Sequence, residues 1–83
     1  MSKEINVELT GLEIKRLCEE RGIGVKDLQQ ILEFESSQAI YKWFEGRNIP
    51  SIDNLVKLSD VLGVSINELI VLNNSIKEEE TND

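Results

Sequence analysis

Apolar residues recur along most of this chain at the three-and-four spacing of helices that bury one face. Ile14, Leu17 and Cys18 mark the first such face, with Leu12 beside it. Thr10-Gly-Leu-Glu13 just ahead has capping-box spacing, in which a hydroxyl and a carboxylate cap each other's backbone amide. Gly22 can take the left-handed conformation that ends a helix. The spacing therefore predicts a first helix from about Gly11 to Arg21. Val25, Leu28, Ile31 and Leu32 predict a second, ending near Leu32 or Glu33. Ser36 as N-cap, followed by Ala39, Ile40, Trp43 and Phe44 on a buried side, predicts a third that Gly46 closes. Arg47 to Pro50 reads as a loop, because proline biases Ile49 away from helical backbone. Ser51 then caps a fourth helix, ended by Gly63, whose apolar side holds Ile52, Leu55, Val56, Leu58, Val61 and Leu62. Ser65-Ile-Asn-Glu68 is a second capping box, with Val64 and Leu69 placed as a hydrophobic staple. It opens a short fifth helix, about Ile66 to Val71.

The two ends differ from this pattern. Ile5, Val7 and Leu9 alternate with Glu4, Asn6 and Glu8, the period of a strand. With no second strand in the sequence, the expectation is an extended arm, and edge pairing within a dimer is the alternative. From Asn73 onward the chain is polar and acidic, a composition that favours disorder. The chain thus divides into an arm (1–9), a helical domain (10–72) and an acidic, disordered tail (73–83). Five short helices joined by tight turns define a compact all-α domain around one shared core.

Composition narrows the chemistry. The 83 residues suffice for one small core and leave little volume for a deep active site. There is no histidine, and a lone Cys18 excludes an internal disulfide; it is expected to be a small buried apolar residue without chemistry. No glycine-rich phosphate loop and no spaced acidic loop is present. Neither a metal nor a cofactor is expected, and nothing in the sequence supports an enzyme. No apolar run approaches the roughly 18 residues that cross a bilayer. Residues 1–8 lack the basic-then-apolar order of a signal peptide, so a cytoplasmic protein is expected. The net charge is −7, and without residues 75–83 eight basic residues still face twelve acidic ones.

The ordered set of positions from Gly11 to Val71 resembles the lambda repressor/Cro-like helix-turn-helix family, also called the xenobiotic response element family. Gly11-Leu-Glu-Ile-Lys-Arg-Leu17 resembles its opening helix, and Leu28 stands at the core position of its second. Ile40, Trp43 and Gly46 fit the end of its recognition helix. Asn48-Ile-Pro50-Ser51, Leu55, Leu58, Leu62-Gly-Val64-Ser65 and Glu68-Leu69 fit its closing helices. Four features depart from the pattern. Gln29 replaces the usual small alanine, Val25 replaces a phosphate-binding glutamine, and Phe44 replaces a glutamate. The link from Leu28 to Ile40 is also one residue longer, and the turn Glu33-Phe34-Glu35 is expected to accommodate Gln29.

The resemblance implies a sequence-specific DNA-binding regulator, a repressor in its simplest form, with helix three (about 36–46) in the major groove of double-stranded DNA. Ser36, Ser37, Gln38, Tyr41 and Lys42 then become the base-reading candidates. Gln38 suits adenine, Lys42 suits guanine, and the short Ser37 allows close approach. Lys26, Arg47 and Asn48 become the phosphate candidates, Lys26 lying at the start of helix two where backbone amides favour anions. Ordinary solvated surface is the competing reading of each. From Val25 to Pro50 the motif carries Lys26, Lys42 and Arg47 against Asp27, Glu33, Glu35 and Glu45. So few cations imply weak monomer affinity, which a homodimer on two half-sites would offset. Leu69, Ile70, Leu72, Ile5 and Val7 are the candidate dimer surface. The alternative is a protein-interaction module, antitoxin-like or an accessory subunit, whose acidic surface meets a protein partner.

Overall fold

The computed structural model describes residues 4–73, and they fold as five helices in the order α1 (Val7–Glu20), α2 (Val25–Ile31), α3 (Gln38–Phe44), α4 (Ile52–Leu62) and α5 (Ile66–Leu69). The predicted all-α architecture is thus the observed one. The expectation of a disordered tail falls, Asn73 excepted, on residues 74–83, outside the described ones.

The largest difference from expectation lies at the start of α1. The helix begins at Val7, so residues 7–9 are its first turn and not part of an arm. Asn6 is the N-cap, its side chain accepting from the Leu9 amide at 2.8 Å. Thr10 lies inside the helix, 1% exposed, and caps nothing there. Its hydroxyl accepts from the Val71 amide at 3.0 Å. The alternation at Ile5 does mark extended backbone, but its partner is in the same chain. Ile5 and Leu72 form an isolated antiparallel bridge. The Asn6 amide donates to the Val71 carbonyl at 2.7 Å, and the Asn73 amide donates to the Glu4 carbonyl at 2.8 Å. The Asn6 and Asn73 side chains close this clasp at 2.8 Å.

Other boundaries shift by a residue or two. The N-cap of α3 is Ser37 and not Ser36, whose hydroxyl instead accepts from the Gln38 amide at 3.4 Å. The last helix stops at Leu69 because Ile70 turns extended to join the clasp. Ser51 and Gly63 bracket α4 as predicted, and the Ser65–Glu68 capping box forms.

Ile14, Leu17, Cys18, Leu28, Leu32, Ile40, Trp43, Leu55, Leu58, Leu62 and Leu69 form one buried core. Helix α1 packs on α3 and α5, α2 on α3, and α4 on α5. The crossing of α1 over the end of α3 is close: a Cβ added at Gly11 would meet the Trp43 carbonyl oxygen at 1.9 Å. Two residues expected on the buried side of α4 are not there. Ile52 is 73% exposed and Val56 52%, because no described element covers that flank.

Candidate nucleic-acid interface

The turn between α2 and α3 sets the attitude of α3. Its extra residue is absorbed by Glu33, which takes a left-handed backbone with φ 62°. The Phe34 amide then returns to the Gln29 carbonyl at 2.9 Å, and the Gln29 side-chain amide donates to the Phe34 carbonyl at 3.4 Å. Gln29 is thereby satisfied in place. Phe34 turns inward against Trp43, ring centroids 5.9 Å apart in an edge-to-face pair. Such pairs favour this geometry because the positive ring edge meets the negative face. The buried Ile40 and Trp43 anchor the inner side of α3.

The outer side of α3 presents the candidate readers. Ser36, Gln38 and Lys42 line one shallow depression of about 450 Å³ together with Asn48 from the following loop. Ser51 and Asn54, from the first turn of α4, complete its far wall. The sequence marks Ser51 only as the cap of the fourth helix and gives Asn54 no signal beyond its place in that helix's first turn. The side chains of Gln38 and Lys42 make no hydrogen bond or ion pair with any described residue, so their polar groups remain open to a ligand.

Tyr41 faces elsewhere. It is 48% exposed and borders a second depression of about 290 Å³ with Ile23 and Gly24 ahead of α2, Val25 at its start and Phe44 on its own helix. Ser37 is half-buried at the N-cap of α3, and its side chain makes no cap hydrogen bond. Of the five base-reading candidates, three therefore share a surface with Asn48, while Tyr41 lies one helix flank away.

The cations are few and partly engaged. Arg47 is 67% exposed, but its Nε lies 3.2 Å from the Glu45 carboxylate. Lys26 is exposed beside the start of α2. That helix end is already occupied by an acid, since Asp27 accepts from the Gly24 amide at 2.9 Å. That bond takes the Gly24 amide and sets a carboxylate beside the first turn of α2, so an anion approaching Lys26 there meets a negative neighbour. Among the described residues no cluster of three or more histidine, cysteine or acidic side chains is arranged to hold a metal ion. No described helix is long and apolar enough to cross a membrane.

Two helices joined by a tight turn, the second with one buried and one open side and packed on α1, define a helix-turn-helix domain. A family model described as helix-turn-helix matches residues 14–69, about two thirds of the chain. The protein belongs to the lambda repressor/Cro-like helix-turn-helix family, and so to the class of DNA-binding transcription regulators. The fold is similar to the DNA-binding domain of BldD, with a TM-score of 0.66 and 15% identity over 80% of this chain and 94% of that one. It is also similar to the restriction-modification controller protein C.AhdI from Aeromonas hydrophila, with a TM-score of 0.67 and 19% identity over 76% and 94% of the two chains. At these identities the likeness is one of fold. No curated protein matches the sequence significantly.

Proposed function

We propose that the protein is a sequence-specific regulator that lays α3 in the major groove and binds as a dimer. It represses by occupying its site. The observation that carries this reading is the open, polar surface shared by Ser36, Gln38, Lys42 and Asn48, on a helix whose opposite side is locked into the core. Gln38 has the paired donor and acceptor that match the adenine edge, and Lys42 can donate to guanine. Ser36 and Ser37 are short enough to let the backbone of α3 approach. Tyr41 contacts the flank of the groove. Asn48, Arg47 and Lys26 supply the phosphate contacts that fix the register. A monomer with three basic residues on this face gains little from counterion release, and two copies double that gain. Occlusion is the simplest route to repression for a domain of this size, and a cytoplasmic location follows from that role.

A duplex selected from a random pool tests the reading by fluorescence anisotropy. Gln38→Ala with Lys42→Ala should weaken binding to the selected duplex by at least about tenfold, since a good base contact is worth roughly 1–3 kcal/mol. Non-specific binding at low salt should change much less. Failure to select any sequence, or an unchanged double variant that remains folded, would overturn the assignment. The acidic balance of the motif favours a second reading, docking of a basic protein partner on the same surface. That reading gains if no duplex is selected.

A further inference from the structure

Helix α4 carries an exposed stripe that nothing in the described chain covers. Ile52 and Val56 lie one turn apart on it, and Asp53 and Lys57 lie one turn apart immediately beside them. All four side chains are exposed, and neither Asp53 nor Lys57 makes an ion pair with any described residue. On the helical wheel this stripe is roughly opposite Ser51 and Asn54, which line the depression next to α3. Of the surface expected to serve a dimer, Leu69 is fully buried, and Ile5, 37% exposed, sits on a short backbone bridge to Leu72.

We propose that α4 is the docking surface for a second copy of this chain, the two α4 helices packing antiparallel about a two-fold axis near Asn54–Leu55. This deepens the dimer in the function proposed above and rests on it. A two-fold contact must be self-complementary, each residue i that meets j being met in return. Antiparallel packing about that axis brings Ile52 of each copy onto Val56 of the other. The same register sets Asp53 against Lys57 across the seam, and symmetry makes each pair twice. The order acid-then-base, four residues apart beside an apolar pair with the same spacing, is what such a register requires. Parallel packing would instead oppose like charges. Because the stripe faces away from Ser51 and Asn54, docking leaves the α3 surface of both copies open. Two apolar side chains and two ion pairs make a patch well below the roughly 800 Å² per partner of a standard interface. The free dimer is therefore weak, and occupation of adjacent DNA half-sites completes it.

Sedimentation velocity on the full chain over a concentration series, with circular dichroism to confirm folding, tests the surface. Val56→Glu should weaken self-association by at least about tenfold, since it puts an uncompensated charge into the seam. Asp53→Lys and Lys57→Asp should each do the same, by about tenfold, because two attractive contacts become repulsive. An equimolar mixture of those two single variants should form a heterodimer, and the doubly exchanged chain should regain the homodimer. Unchanged self-association in Val56→Glu, or no complex in the mixture, overturns the α4 interface. A chain that stays monomeric at millimolar concentration overturns it as well. Binding of folded Val56→Glu to a single half-site duplex reads the α3 function separately. Retained half-site binding with unchanged self-association condemns the α4 surface alone, and lost half-site binding with a working exchange pair condemns the DNA reading alone.

Discussion

Gly11 sits where α1 crosses the end of α3, and the atom a Cβ would strike is the backbone oxygen of Trp43. A backbone oxygen cannot swing aside as a flexible side chain can, so Gly11→Ala must force the two helices apart. The expected loss is at least about 1–3 kcal/mol, the cost of overpacking a close core contact. Thermal denaturation would show it as a fall of about 4–8 °C per kcal/mol in a domain of this size. Cys18 gives a second test at this scale. Burial raises its thiol from 9.0 to about 11, because the thiolate is disfavoured away from water. The folded state then keeps its proton at a pH where the unfolded chain has lost it. Stability from this group is complete below pH 9.0 and drains away as pH rises toward about 11. Comparing denaturation of the parent and Cys18→Ala between those limits isolates the effect: the parent should lose stability faster. Neither contact of this kind was visible in the sequence. Thr10 with Glu13 satisfies a local capping rule, yet Asn6 takes the cap and Thr10 serves the Val71 amide 61 positions away. Local spacing identifies which side chains can cap; distant backbone decides which one does.

At the scale of elements, four of the five helices stand near their predicted places because caps and breakers are local. Ser51, Gly63 and the Ser65–Glu68 box each act within a turn of the backbone they satisfy. The face a helix buries is different, since it depends on which neighbours arrive. Ile52 and Val56 fit the apolar side of α4 by spacing, and the fold leaves that flank bare. The candidate site was legible in the same limited way. The sequence groups Ser36, Gln38 and Lys42 with Ser37 and Tyr41 and sets Asn48 apart with Lys26 and Arg47; it could not place Tyr41 on the other flank or bring Asn48 and Asn54 into one depression with Lys42. The α2–α3 turn offers the prediction proper to this scale. Glu33 holds a left-handed backbone at φ 62°, which costs a residue with a Cβ roughly 1 kcal/mol that glycine does not bear. Glu33→Gly should therefore raise the unfolding free energy by up to about 1 kcal/mol, measured by urea denaturation, despite the greater freedom it gives the unfolded chain. Glu33→Ala keeps the left-handed strain and should not stabilise; equal effects from the two would assign the gain to charge.

For the molecule as a whole, an excess of acid has to be reconciled with a polyanionic ligand. Seven net negative charges repel DNA at long range, and salt weakens that repulsion as it weakens any attraction. In the interface proposed above the cations are Lys26 and Arg47 toward phosphate and Lys42 toward the bases, and Glu45 sits 3.2 Å from Arg47. Both members of that pair are more than half exposed, so the pair adds little to folding. Its larger consequence is for binding, where Glu45 both competes with phosphate for Arg47 and adds a negative charge at the interface. Glu45→Gln should leave the unfolding midpoint nearly unchanged and tighten binding to the selected duplex by about threefold or more at low salt. The gain should shrink as salt rises, because the released Arg47 adds a counterion-displacing contact and steepens the logarithmic salt dependence by up to about one unit. Arg47→Ala should lose most of that gain when combined with Glu45→Gln, since the two residues act through one contact. A Glu45→Gln chain whose affinity and salt slope match the parent would remove Arg47 from the phosphate contacts and leave Lys26 and Asn48 to hold the register.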